Sequence, residues 1–385
     1  MEVMSVPTHP PEPDAATAAA TDAATSTSTA TATEPASGSA DAQAAEQARD
    51  RELLRLAAVT TGWWAHGLVR LLLASALVYY GVAKLVLGQF GVADTGDALI
   101  TQGEMSPMGM LWRMVALSPL FQFLAGLTEF GAALALLWRR TVPLGGLLAF
   151  ASMVFVFVLN LGYDVPVKQI SLALALLSLI VLIPWMGRLT RAVLGRGQIP
   201  RGRVPVLIPW RPVSRITDIV GPLAALGLVA VLSWSVTSMY PDTSRDDSAP
   251  AGVWTVASDT AAPAEQLAED TRWQQVAFGD ISYEGSGMMQ LRLADGELLA
   301  GTYERTDDES VKATLRPLRE EGQSIREHNE LPPLEMMLTI VEQADGTLHV
   351  TGDDVDLVLT EDASGRVLYD REHGWGPRPD APFNR

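Results

Sequence analysis

Between about 62 and 240 the chain is written in long apolar runs, and on either side it turns polar. Five of the runs come near the ~20 residues an α-helix needs to cross a bilayer. They cover roughly 68–90, 119–138, 142–161, 166–185 and 221–240. Ser118-Pro119 sets a capping side chain before a proline in the first turn, and Asp164-Val165-Pro166 does nearly the same. Trp63, Trp64, Trp138, Trp185, Trp210, Tyr163 and Tyr240 flank the runs, where amphipathic rings suit a membrane–water interface. The pattern predicts five membrane-spanning helices.

Past 241 the period shortens to alternation. Segments such as "GVWTVA", "WQQVAFG", "GMMQLRLA", "ELLAGTYER", "EMMLTIVE", "TLHVTG", "DVDLVLTED" and "RVLYD" read as strands. "ADGE", "ADGT" and "ASGR" read as hairpin turns between them. Eight or so strands in 250–385 predict a small antiparallel all-β barrel or sandwich. "TLRPLREEGQSIREHNELPP" is a long loop or a short helix. Gly252-Val253-Trp254 looks like the G-x-W of lipocalin-type barrels, and Trp254 is expected as an ordinary core aromatic.

Residues 1–60 are rich in Ala, Thr, Ser, Asp, Glu and Pro, with almost nothing to form a core, so a disordered low-complexity tail is expected. The stretch lacks the basic-then-apolar order of a signal peptide. A short helix, "DRELLRLAAV", leads from near Asp50 toward the first span.

Charge divides the chain in the same way. From Pro241 onward there are 30 acidic and 12 basic side chains, against 15 and 16 before it. No basic face stands out beyond one loop, so nucleic-acid binding has no support. The absence of cysteine excludes disulfides and thiolate metal sites, and the five scattered histidines form no pair at ligand spacing; no metal site is expected.

Arginines set the expected orientation. Arg49, Arg51 and Arg55 precede the first span, Arg139 and Arg140 follow the second, and the loop 189–217 between the fourth and fifth is arginine-rich without an acid. All fall on one side if the N-terminus is cytoplasmic, so the positive-inside rule predicts a multi-pass protein of the cell membrane with its acidic C-terminal domain extracytoplasmic. The basic loop serves as a topology determinant or as a contact for anionic lipid headgroups. The expected organisation is a tail over 1–60, a four-helix membrane domain over 62–188, the cytoplasmic loop 189–217, a fifth transmembrane helix over 218–240 and the β domain over 250–385.

Three ionisable groups, Arg70, Lys84 and Glu129, stand inside the apolar runs, where lipid rejects charge. Lysine occurs only at 84, 168 and 312, so composition does not account for Lys84. At ~1.5 Å per residue, Glu129 lies about 15 Å and Lys84 about 9 Å below the same surface, whereas Arg70 is displaced from Glu129 by nearer 10 Å. Lys84–Glu129 is therefore the favoured pair; snorkelling of Lys84 and Arg70 to opposite interfaces is the competing reading. The small residues Ala125, Gly126, Ala132 and Ala133 suit close helix contact beside Glu129. "LNLGYDVPVKQ" supplies Asn160, Asp164 and Lys168 at the same end as Lys84, and an outer polar pocket lined by Lys84, Asn160 and Asp164 is a further expectation. Helix capping by Asp164 and an interfacial Lys168 explain those two equally well.

Arg70 followed by "YYGVAK", then "AGLTEFGAALALL" closing in "WRR", then two more apolar helices, resembles the DoxX family over about 65–186. Arg70, Gly81, Lys84, Gly126 and Glu129 match its polar pattern. "NLGYDVPVKQIS" is similar to a subgroup with an outer Asp-x-Pro turn, and "REHGWGPRPDAPFNR" to the tail of extended members that carry a soluble domain after a fifth helix. The resemblance implies a four-helix DoxX-like membrane core. Some family members are quinone-facing subunits in thiosulfate oxidation, and others belong to oxidative-stress complexes or to the maturation of periplasmic enzymes. It thus implies an accessory, non-catalytic subunit of a redox-linked envelope complex. The core would bind quinone, membrane lipid or a membrane partner, with Lys84 on a quinone oxygen, and the β domain would recruit an extracytoplasmic protein. A catalytic thiosulfate:quinone oxidoreductase subunit and a proton-linked transporter are the alternatives. No cofactor is evident from the residues themselves.

Overall fold

The structure is a computed structural model, and it describes residues 37–195, 211–241, 243–307, 309–352, 354–370 and 376–379. The chain divides into two units, 1–59 and 60–385. In the first, 1–36 of the expected disordered tail lie outside the described residues. From Ser37 onward the expectation is corrected, because helix α1 runs Ser37–Leu85. "ADAQAAEQARDRELLRLAA" is made of strong helix formers. Lack of core-forming residues limits tertiary burial, not local helicity, and 42–59 are indeed exposed throughout.

In the second unit α1 continues and is followed by α2 (Pro107–Ala116), α3 (Pro119–Leu137), α4 (Val142–Gly162), α5 (Lys168–Leu182), α6 (Met186–Val193) and α7 (Arg211–Thr237). Among the described residues five helices are long and apolar enough to cross a membrane: Ala42–Leu85, Pro119–Leu137, Val142–Gly162, Lys168–Val193 and Ile219–Thr237. Leu73, Leu77, Val78, Ala132, Leu136, Met153 and Val181 pack between them. Leu120, Phe155, Val158 and Trp234 point outward, an apolar exterior that suits lipid better than water.

Ser118 caps α3 as expected, its hydroxyl accepting from Phe121 N–H with Pro119 in the first turn. Asp164 does not cap α5. That helix opens three residues later, after Val167, and Asp164 sits in the left-handed region at φ 50°. Of the loop 189–217, α6 occupies the start and 196–210 lie outside the described residues.

The C-terminal domain is a closed barrel. Its strands are β1 (Thr243–Arg245), β2 (Gly252–Asp259), β3 (Trp273–Tyr283), β4 (Ser286–Leu293), β5 (Leu298–Arg305), β6 (Ser310–Pro317), β7 (Leu334–Glu342), β8 (Leu348–Gly352) and β9 (Asp356–Glu361). Each strand from β2 to β9 pairs antiparallel with the next, and β9 returns to β2, so no edge remains open. β1 adds onto β3. Val276, Phe278, Met289, Leu291, Leu315, Val350 and Leu359 fill the interior. Trp254 is buried among them, its Nε1 donating to the Pro250 carbonyl at 2.9 Å.

"ADGE" and "ADGT" do form hairpin turns, with Gly296 and Gly346 at φ 97° and 81°, where a side chain would be strained. "ASGR" follows the last strand, and "RVLYD" supplies a helical turn, α9 (Val367–Asp370), rather than a strand. Arg366 explains the difference: it ion-pairs with Glu361 and Asp370, an i,i+4 partner only a helix brings near. The long segment after β6 contains α8 (Ile325–Glu330), opened by a Ser324–Glu327 capping box.

A loop from the helical part docks on the barrel. In β4, Gln290 and Arg292 alternate outward from Met289 and Leu291, yet Gln290 is buried, because residues 94–104 cover it. Its Oε1 accepts from Leu99 N–H (2.8 Å) and Ile100 N–H (3.2 Å), and its Nε2 donates to Asp97 (2.7 Å). Asp97 also binds Arg113 of α2 at 2.7 Å. Arg292 grips both oxygens of Glu104, at 2.5 and 2.8 Å. Asp94 reaches an irregular stretch of β3 between Phe278 and Ser282, where its Oδ1 accepts from Asp280 N–H at 3.1 Å and Thr95 donates to the Phe278 carbonyl at 2.8 Å.

Two carboxylates give this joint opposed pH responses. The Arg292 hydrogen bond holds Glu104 down at about 2. Its contribution is complete above the ordinary value of 4.5 and fades as pH falls toward about 2. Burial pushes Asp94 above its ordinary 3.8, so the docked state holds that proton more tightly than the free loop. Asp94 therefore favours docking in acid and disfavours it as pH rises through its raised range. Asp94→Asn, which keeps the acceptor, is expected to flatten the decline of melting temperature with rising pH between 4 and 8. Parallel melting curves of the two proteins across that range are the check.

Candidate functional site

The site begins at a helix crossing. A Cβ on Gly81 of α1 would lie 2.8 Å from the backbone nitrogen of Phe130, and one on Gly126 of α3 would lie 2.7 Å from the Gly81 carbonyl. Only glycine lets the two backbones come this close. Three residues beyond each glycine, on the same face, stand Lys84 and Glu129. Side chains lean toward the N-terminus of their own helix, so Lys84 reaches back along α1 into the crossing. Its Nζ meets Glu129 Oε2 at 2.7 Å and the Tyr80 carbonyl at 3.4 Å. Lys84 is 5% exposed and Glu129 not at all, which excludes snorkelling for Lys84. Glu129 Oε1 has no partner among the described residues.

The pair forms part of the wall of a cavity of about 490 Å³ between α1, α2, α3, α4 and α5. The rest of the wall is mostly apolar. Leu124 and Phe121 of α3, Phe155 of α4 and Ile170 of α5 both line the cavity and face outward, so it opens sideways between these helices. Gln89, Phe90 and Trp112 close the end nearest the barrel. Phe90 and Trp112 pack with their rings tilted and centroids 4.9 Å apart, Trp112 Nε1 donates to the Gln89 carbonyl (3.1 Å), and buried Gln122 holds Phe90 N–H (3.2 Å) and the Gly91 carbonyl (3.0 Å).

The other sequence candidates divide. Asn160 lines the cavity and donates to Ser171 at 3.1 Å. Asp164 does not line it: its side chain is 78% exposed and pairs with Lys168 one turn on, so the expected pocket of Lys84, Asn160 and Asp164 is corrected. The left-handed backbone at 164 turns that carboxylate out to the helix end. Arg70 lies 14 residues before Lys84 on α1, about 20 Å along the helix. It makes no ion pair among the described residues and takes no part in the site. Reading the sequence alone missed Tyr80, Gln89, Gln122 and Trp112. Their signal was Gln89 and Gln122, two amides at the ends of apolar runs.

Five helices of spanning length, a buried ion pair in a side-opening cavity, and a closed up-and-down barrel after the last helix define the class: a helical membrane-type protein bearing a β domain. The chain belongs to the family of the uncharacterized protein YwoB of Bacillus subtilis (strain 168), with which it is 33% identical over 120 residues, 31% of this chain and 74% of that relative. No family model and no solved structure matches the chain.

Proposed function

We propose that this chain is a DoxX-like multi-pass membrane protein, N-terminus cytoplasmic and barrel extracytoplasmic, whose helical bundle holds a lipid-like or quinone ligand as an accessory subunit of a redox-linked envelope complex. The observation that carries the binding role is the charge pair set into the wall of a largely apolar, side-opening cavity. Gly81, Lys84, Gly126 and Glu129, which carry the family resemblance, are also the residues of the crossing and the pair, and this supports the DoxX-like reading. The barrel is the natural place for an extracytoplasmic partner, because it is the part that would stand clear of lipid.

The test is extraction and mass spectrometry of the full chain purified in mild detergent. An apolar-tailed molecule enriched over the detergent background, and depleted by Leu124→Trp at the cavity mouth, is the expected result. Equal lipid profiles for the two proteins, with no change in melting temperature on adding quinone or lipid, would overturn the reading.

A further inference from the structure

Thr128 donates to the Leu124 carbonyl (2.9 Å), Ser171 to the Lys168 carbonyl (2.8 Å) and one N–H of Asn160 to Ser171 (3.1 Å), while the Tyr80 and Ser152 hydroxyls and the Gln89 amide bring further donors to the wall. Lys84 is directed at Glu129 and the Tyr80 carbonyl. Two acceptors stand out: Glu129 Oε1 is buried with no donor among the described residues, and so is Gln89 Oε1 elsewhere on the same wall. A buried acceptor left unmade is expensive, and more so when it is charged. Lys84 and Glu129 sum to zero, so the wall does not call for an ionic head.

We propose that the ligand of this cavity is an uncharged amphiphile whose head donates hydrogen bonds through hydroxyl groups, with Glu129 Oε1 as the principal acceptor. This rests on the reading that the bundle holds a lipid-like ligand, and it specifies the head. The chain of the ligand leaves through the opening between Phe121, Leu124, Phe155 and Ile170 into the bilayer. Molecules of the same size and tail that only accept hydrogen bonds leave Glu129 Oε1 unmatched and bind weakly. Two sources fit the chemistry: a hydroxyl-bearing glyceride and a prenylated hydroquinone. For the second, the reduced form binds and the oxidised form, which has carbonyls alone, does not.

The experiment uses the full chain in phosphatidylcholine nanodiscs, a lipid whose head donates no hydrogen bond. Melting temperature and the fluorescence of Trp112, at the closed end of the cavity, report binding, with a Trp112→Phe control to assign the signal. The probes are monoolein and its di-O-methyl ether, then decyl-hydroquinone and its di-O-methyl ether. A hydroxyl-bearing probe is expected to bind at least about tenfold tighter than its ether. The arm that discriminates identifies the source. In the double variant Lys84→Met/Glu129→Leu the preference should vanish while the protein stays folded. Ether and hydroxyl forms binding alike would overturn the donor requirement and leave the lipid-binding reading standing. No binding by any probe would overturn both.

Discussion

Gly279→Val is expected to undock the loop 94–104 from the barrel at a cost of about 3 kcal/mol, the upper part of the range for overpacking. A Cβ at Gly279 would run into the Asp94 carboxylate, and one at Gly96 would lie 2.7 Å from the Gly279 backbone nitrogen. The joint works only because both residues lack side chains where β3 loses its regular pairing with β4. That irregularity frees the Asp280 N–H, and Asp94 fills the role of the missing strand partner. The variant should melt lower and expose 92–104 to protease while the barrel stays folded. Asp94→Gly in the same chain removes the obstructing carboxylate. It should restore part of the loss, so the two changes should be non-additive. A Gly279→Val protein with unchanged melting and unchanged proteolysis would refute this account of the joint.

The second large effect lies at the crossing. Lys84→Met leaves Glu129 as an uncompensated buried carboxylate, and roughly 3–5 kcal/mol of stability should be lost. Glu129→Leu alone strands the lysine with a similar result. Lys84→Met together with Glu129→Leu replaces both by apolar groups of comparable volume and should recover most of the loss. The four proteins form a double-mutant cycle read by thermal unfolding in one detergent. A coupling near zero would mean that the 2.7 Å contact carries no net energy.

Hydropathy alone placed α3, α4 and α5 within a few residues of their observed bounds, because an apolar run of spanning length marks such a helix, but it missed how far α1 and α7 extend on their N-terminal sides, to Ser37 and Arg211. Depth counting was enough to prefer Lys84 over Arg70 as partner of Glu129, since two groups at unlike heights in adjacent helices cannot meet. Turn chemistry located the hairpins at Gly296 and Gly346. What escaped were features set by distant segments. Gln290 sits at an outward strand position, and nothing nearby in sequence says that a loop nearly two hundred residues earlier covers it. In sequence Asp94, Asp97 and Glu104 are scattered acids of a connecting loop, yet each has a specific partner on the barrel or α2. "RVLYD" alternates well enough for a strand, and only the Arg366–Asp370 pair decides for a helical turn. Asp164 went wrong for a local reason: a left-handed residue reverses the direction in which its side chain points.

The barrel is joined to the helices twice, covalently where α7 ends at Thr237 and β1 begins at Thr243, and again through the docked loop. The second attachment is thus a ring closure, not an encounter between free bodies. A tether so short holds the two surfaces at an effective concentration on the order of millimolar. Contacts that would fail to hold two separate molecules together are then enough to keep the joint mostly closed. The same arithmetic makes it reversible: a molecule that competes for Gln290 or Arg292 needs only modest affinity to open it. The segment so released is continuous with Gln89, Phe90 and Trp112 at the end of the cavity.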